Sequence, residues 1–237
     1  MILAAGLGSR LKPFTDQHPK ALAQVNGKSL LQRNVEYLHS YGITDILVNV
    51  HHFATQITAA IEENQGWGCT IRISDETGEL LETGGGIKKA AWFFETDEEP
   101  FLLLNVDILT DIDLKEMEQY HRKRGALATL AVSERETSRY FLFDPESTLC
   151  GWENIKTGEK VITRPEATSL KRKAFSGLHM ISPAIFKLMR QSGKFSMVEV
   201  YLDLSPSNAI AGYEPQGKQV IDVGKPESIR LAEKMFR

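Results

Sequence analysis

Apolar positions recur along this chain in two alternating rhythms. Residues 1–5 form a short apolar run that stops at Gly6, the pattern of a buried strand feeding a loop. Leu30, Leu31, Asn34, Val35 and Leu38 then repeat at helical spacing, with Ser29 placed to cap the start and Gly42 to end the helix. Residues 46–50 read as a second buried strand and 53–64 as a helix carrying Phe53, Ile57, Ala60 and Ile61. An alternating strand at 69–74 follows, and then a helix over 84–94 with a glycine-rich start. Next come an apolar strand at 101–105, an exposed helix at 113–124 and a strand at 126–132. Strands alternating with helices predict a mostly parallel sheet with right-handed crossovers.

The rhythm breaks in the middle. Residues 140–143, 149–152 and 160–162 are short strand-like runs separated by Pro, Gly and polar turns, so 134–173 reads as an antiparallel insertion or lid. The main pattern returns with a strand at 174–181, a helix from Pro183, a strand at 219–223 and a closing helix at 226–236. The expectation is one α/β domain over 1–237: a Rossmann-like, mostly parallel mixed sheet, helices on both faces and a small antiparallel insertion.

Composition narrows the function. Hydrophobic residues make up 42% and charged residues 25% of 237, ordinary for a globular chain. A formal net charge of −3 leaves no basic footprint for nucleic acid, so any phosphate site is local. No apolar run reaches the roughly 18 residues of a membrane span, and the first residues do not read as a secretory signal. Cys69 and Cys150 stand far apart without a CxxC, which points away from a disulfide framework or a zinc site. A cytoplasmic location is the expectation.

Candidate chemistry begins in the loop after the first strand. Gly6 and Gly8 let backbone N–H groups turn toward an anion, with Ala5 leading in. Arg10 can hold phosphate oxygens bidentately, and Lys20 is a mobile point charge. Two other readings fit less well. The dinucleotide fingerprint needs a third glycine where Leu11 stands and an acid at the end of the second strand, where the chain has Val50 and His51. Gly27-Lys28-Ser29 lacks the P-loop's leading glycine, because Leu22 occupies that place. The adjacent His51 and His52 read as packed against helix 53–64 rather than as ligands.

The run LAAGLGSRLKPFTDQHPKAL at residues 3–22 resembles the opening pattern of the sugar-1-phosphate nucleotidylyltransferases, LAAGxGxRLxPxTxxxPKxL. The resemblance extends along nearly the whole chain. Glu82-Thr83-Gly84 and the two glycines after it look like the family's base-binding segment, where small residues leave room for a flat base. Asn105-Val106-Asp107 resembles the segment whose Asp holds Mg²⁺, with Val106 in place of the usual Gly. Residues 221–226 resemble a second motif whose carboxylate, here Asp222, would be the other metal ligand, with Lys225 in place of the more frequent Thr. Two carboxylates plus phosphate oxygens and water suit Mg²⁺. Gly177, within Phe175-Ser176-Gly177, is similar to the strand facing the acceptor sugar, and Arg164 stands nearest to a lysine that grips the sugar phosphate.

What the resemblance implies is transfer of a nucleotidyl group from a nucleoside triphosphate to a sugar 1-phosphate, releasing pyrophosphate. The short form looks nearest to uridylyltransferases acting on N-acetylmuramate 1-phosphate, with mannose- or heptose-1-phosphate guanylyltransferases sharing much of the pattern, and UTP is the favoured nucleotide. A nucleotide-sugar sensor without activity would not need both metal carboxylates. The oligomeric state is not written in the sequence.

Overall fold

The computed structural model describes residues 1–94 and 98–236. The first strand, β1 (Ile2–Leu3), is followed by a glycine loop and three short 3-10 turns, then by a small hairpin, β2 (Gln24–Val25) and β3 (Lys28–Ser29). Helix α1 (Leu30–Ser40) starts where expected: the Ser29 side chain accepts from the Gln32 amide. After it come β4 (Asp45–Val50), α2 (Ala54–Glu63), β5 (Thr70–Asp75), α3 (Glu82–Lys89), β6 (Phe101–Asn105) and β7 (Ile108–Thr110). The chain continues through α4 (Leu114–Arg124), β8 (Ala128–Ser133), the antiparallel run β9 (Arg139–Phe143), β10 (Leu149–Asn154) and β11 (Glu159–Ile162), and the long β12 (Lys171–Ile181). It closes with α5 (Ile185–Leu188), α6 (Met197–Leu204), β13 (Ile210–Tyr213), β14 (Val220–Asp222) and α7 (Pro226–Met235).

Among the described residues, ten strands form one mixed sheet. Its centre is parallel: β1 lies between β4 and β6, and β5 pairs with β4. The next strand, β12, is antiparallel to both β6 and β8, and β13 pairs parallel with β8. The first half of β12 also carries β9, from which β10 and β11 extend the sheet outward, so residues 134–173 continue the main sheet through antiparallel hairpins. Alternation along β1 explains the two cores. Met1 and Leu3 join Ile87, Ile185, Val200, Tyr201 and Leu204 on the face covered by α3, α5 and α6. Ile2 and Ala4 join Leu31, Val35, Leu38, Ile57, Ile61, Leu114 and Met117 under α1, α2 and α4. A third cluster of Leu11, Val25, Leu30, Ile221, Val223 and Ala232 docks α7 beside the glycine loop.

Three helices differ from the sequence pattern. Helix α3 begins at Glu82 and runs through all three glycines, and it gives way to a 3-10 turn at Ala91–Phe93. Glycines inside a helix are costly by themselves, and they are held here by close packing: a Cβ would stand 2.4 Å from the Phe195 ring at Gly84, 2.3 Å from the Gly193 carbonyl at Gly85 and 2.6 Å from Glu76 Oε1 at Gly86. The helix expected from Pro183 is only the four residues of α5. Helix α6, absent from the expectation, opens on a capping box in which Ser196 and Glu199 bond reciprocally to each other's backbone amides.

Candidate active site

The carboxyl ends of β1, β4 and β6 meet at one edge, because Leu3 is in register with both Asn49 and Asn105. Ligands bind at this edge in open α/β sheets. Asn49, 3% exposed, accepts the Ala4 amide at 2.7 Å and donates to Glu76 Oε1 at 2.7 Å, while Glu76 Oε2 accepts the Leu81 amide at 3.3 Å. This buried network fixes the direction in which the chain leaves β1. The sequence reading missed both residues. The signal was a lone Asn in the apolar run Ile46-Leu47-Val48-Asn49-Val50. His51, the residue after that strand, lies with Nδ1 2.8 Å from the Glu76 carbonyl, and the His52 ring centroid is 3.9 Å from that of Phe53, which precedes α2.

Gly8 has φ +63°, and a Cβ there would stand 2.9 Å from both Lys20 Cβ and Thr15 Cγ2. Thr15 Oγ1 donates to the Gly8 carbonyl at 3.0 Å, closing the loop on itself. Lys20 therefore lays its stem against Gly8 and places Nζ on Asp107 Oδ2 as an ion pair. The space beside Gly6 is open, with no atom near where a Cβ would lie.

The two carboxylates are brought together by backbone. Strands β7 and β14 pair antiparallel with Asp222 opposite Ile108, and the Val223 amide donates to the Asp107 carbonyl at 2.8 Å. Asp222 Oδ1 accepts the Gly224 amide at 2.7 Å, which aims Oδ2 at Arg10, 3.4 Å from both terminal guanidinium nitrogens. Arg10 Nη2 is also 3.8 Å from Asp107 Oδ2. Its guanidinium crosses Gly224 so closely that a Cβ there would come within 2.5 Å. Two acids converging on one cation, with substrate phosphates to complete the sphere, fit the donor set of a divalent ion. Among the described residues no third acid, His or Cys joins them.

Ala5, Gly6, Gly8, Lys20, Glu82, Thr83, Asn105 and Asp107 line one cleft of about 400 Å³, joined by Asn49, Glu76 and Ser196. Glu82 holds φ +59° at the start of α3, an uncommon conformation for a residue other than glycine, and its carboxylate is 3.7 Å from Lys194 Nζ. Thr83 Oγ1 accepts the Met197 amide at 2.9 Å, tying α3 to α6. A larger cavity of about 520 Å³ beside Met1, Arg72 and Phe101 lies under the other end of the strands and includes none of these groups.

Three expected site residues behave differently. The space at Gly84, expected to admit a base, is filled by protein: its amide donates to the Phe195 carbonyl at 2.9 Å and a Cβ would stand 2.4 Å from the Phe195 ring. Gly177 does not leave room for a sugar ring either. It has φ +77° in a bulge of β12, and Ile108 and Asn105 pack where a Cβ would be. Arg164 is turned away, donating to the carbonyls of Ser205 and Asn208 at 2.8 and 3.2 Å beyond the carboxyl end of α6. Ser196, which lines the cleft, sits at the other end of that helix.

A mixed sheet with helices on both faces, a glycine loop after its first strand and an acid pair at its carboxyl edge is the nucleotide-diphospho-sugar transferase fold. A profile of the nucleotidyl transferase family matches residues 1–232, and the chain belongs to that family of enzymes. It is 29% identical to the N-acetylmuramate alpha-1-phosphate uridylyltransferase of Caulobacter vibrioides over 98% of this chain and 94% of that one. A UTP–glucose-1-phosphate uridylyltransferase of Synechocystis is 35% identical over 55% of this chain and 36% of its own length. The mannose-1-phosphate guanyltransferase of Candida albicans is 24% identical over 96% of this chain and 61% of its own. The chain thus spans nearly all of the first relative and a part of the other two. Among solved structures, HddC from Yersinia pseudotuberculosis shares the fold with a TM-score of 0.77 at 23% identity, covering 100% of this chain and 98% of that one. A UDP-glucose pyrophosphorylase complexed with UDP-glucose does so at 0.75 and 18%, covering 99% and 96%.

Proposed function

We propose that this chain transfers the nucleotidyl group of a nucleoside triphosphate, with UTP favoured, to a sugar 1-phosphate, releasing pyrophosphate. The observation that carries the reading is the convergence of Arg10, Lys20, Asp107 and Asp222, from four separate segments, at the edge of the glycine-loop cleft. UTP is supported by the Caulobacter vibrioides relative, whose length this chain nearly matches.

The acceptor's phosphate oxygen is already anionic at neutral pH, so the protein needs to position and neutralise rather than remove a proton. The attacking oxygen forms a bond to the α-phosphorus as the bond to the β-phosphate oxygen breaks, and pyrophosphate carries off the electron pair. The open backbone at Gly6 and the turn at Gly8 cradle the triphosphate. Lys20 neutralises charge that builds on the α-phosphoryl oxygens, and Arg10 holds the leaving phosphates. Asp107 and Asp222 would hold a divalent cation, Mg²⁺ in this reading, which supplies positive charge between the two anionic reactants.

GTP is the second reading, supported by the Candida albicans mannose-1-phosphate guanyltransferase, which is similar over 96% of this chain. Pyrophosphate release with Mg²⁺, each nucleoside triphosphate in turn and a panel of sugar 1-phosphates tests both readings. Activity confined to UTP or to GTP decides between them, and silence across the panel from a folded, nucleotide-binding protein overturns both.

A further inference from the structure

A second cleft opens on the same edge of the sheet. Because β12 runs antiparallel to β6 and to β8, β8 points the same way as β6, and β13 lies parallel to β8. The segments leaving β8 and β13 therefore emerge on the side of Asp107. They enclose about 310 Å³, with Ser133, Arg135, Glu214, Gln216, Lys218 and Val220 in the walls. Arg135 donates to the Phe175 carbonyl at 2.8 Å, two residues before Gly177, which packs against Asn105 and Ile108. On the other wall, Val220 precedes Asp222 by two residues on β14, so it shares that strand face about 7 Å away. The cleft begins within the reach of one sugar ring from the acid pair.

Its charge is unbalanced. Lys173 Nζ is answered by Glu134 at 2.8 Å and Glu214 at 2.9 Å. Among the described residues, Arg135 and Lys218 have no such carboxylate partner. One Arg135 N–H is used on Phe175, and the guanidinium keeps further donors in a planar fork. Arg164, the cation expected to meet the acceptor, is committed to the end of α6.

We propose that this cleft is the distal half of the acceptor site, and that Arg135, with Lys218 beside it, selects sugar 1-phosphates bearing a second acid group, a carboxylate, on the ring. The inference rests on the nucleotidyl-transfer reading. A carboxylate accepts two parallel bonds from a guanidinium, and a neutral hydroxyl in its place leaves the fork without its anion. Of the acceptors in the relatives' names, N-acetylmuramate alone carries such a group.

The test compares kcat/KM for N-acetylmuramate 1-phosphate and N-acetylglucosamine 1-phosphate, rings that differ by one lactyl carboxylate. The wild-type protein prefers the acidic acceptor by about tenfold or more, the worth of one charge-assisted hydrogen bond. Arg135→Gln abolishes most of that ratio through KM, Arg135→Lys recovers part of it, and the melting temperature stays put because the side chain is exposed. A wild-type protein that uses both acceptors equally, or an Arg135→Gln variant that loses both by the same factor, overturns the acid subsite. A protein silent with every acceptor overturns instead the reaction on which the subsite rests.

Discussion

The Val223 amide donates to the main-chain carbonyl of Asp107 at 2.8 Å, which locks together two strands that are more than a hundred residues apart in sequence. Asp107 and Asp222 thereby present their carboxylates to the same guanidinium from fixed backbone. Replacing either by Asn keeps the shape and removes one charge. Asp107→Asn is expected to lower kcat by roughly 10²–10³-fold, and Asp222→Asn to raise the Mg²⁺ concentration needed for half-maximal rate. Steady-state kinetics across a Mg²⁺ titration check both.

Lys20 is nearly enclosed, its side chain 11% exposed against Gly8 and paired with Asp107. Lys20→Ala is expected to cost roughly 10²–10³ in kcat with little change in the KM for nucleotide. Single-turnover measurements at saturating substrate separate this loss of chemistry from weaker binding.

Gly6 and Gly8 give opposite results when a methyl is added. Gly8→Ala forces an alanine into φ +63° and against Lys20, a strain of roughly 1–3 kcal/mol that thermal unfolding detects. Gly6→Ala meets open space, so stability stays within about 0.5 kcal/mol while the KM for the triphosphate rises.

Removing Asn49 leaves the Ala4 amide and a buried Glu76 oxygen without a partner. Asn49→Ala is expected to destabilise the fold by about 2–3 kcal/mol, read from urea unfolding.

Two buried histidines are expected to lower stability in acid. Burial pushes the His179 pKa down to about 3 and that of His121 down to about 4; His121 is also beside Arg122. Both stay neutral in the folded protein down to those values, whereas in the unfolded chain they take up protons below about 6.5. The unfolded state therefore binds more protons between pH 6.5 and 4, and stability falls as pH falls through that window. By pH 5 each costs roughly 2 kcal/mol. His179→Gln, able to keep a bond to the Tyr201 hydroxyl now 2.7 Å from Nδ1, should make the acid limb of the stability–pH curve shallower.

How much of this could be read from the chain follows from the range of each interaction. The strands 46–50 and 101–105, the Ser29 cap and the glycine loop are local patterns, and they stand in the structure as written. Helix α6 was also local: Ser196 with Glu199 and the apolar set Met197, Val200, Tyr201 and Leu204 signalled it. Strand β13 is four residues with a central glycine, too short for periodicity to mark. The roles of Gly84, Gly177 and Arg164 depend on Phe195, Ile108 and Ser205, and no spacing rule predicts contacts made by tertiary packing.

The most direct test of the central claim is product analysis by mass spectrometry after incubating the protein with Mg²⁺, UTP and N-acetylmuramate 1-phosphate, beside the Asp107→Asn variant. The account predicts a UDP-sugar and an equal amount of pyrophosphate from the wild-type chain and almost none from the variant. No nucleotide-sugar with this or any other sugar 1-phosphate and triphosphate, or equal product from the two proteins, would contradict it.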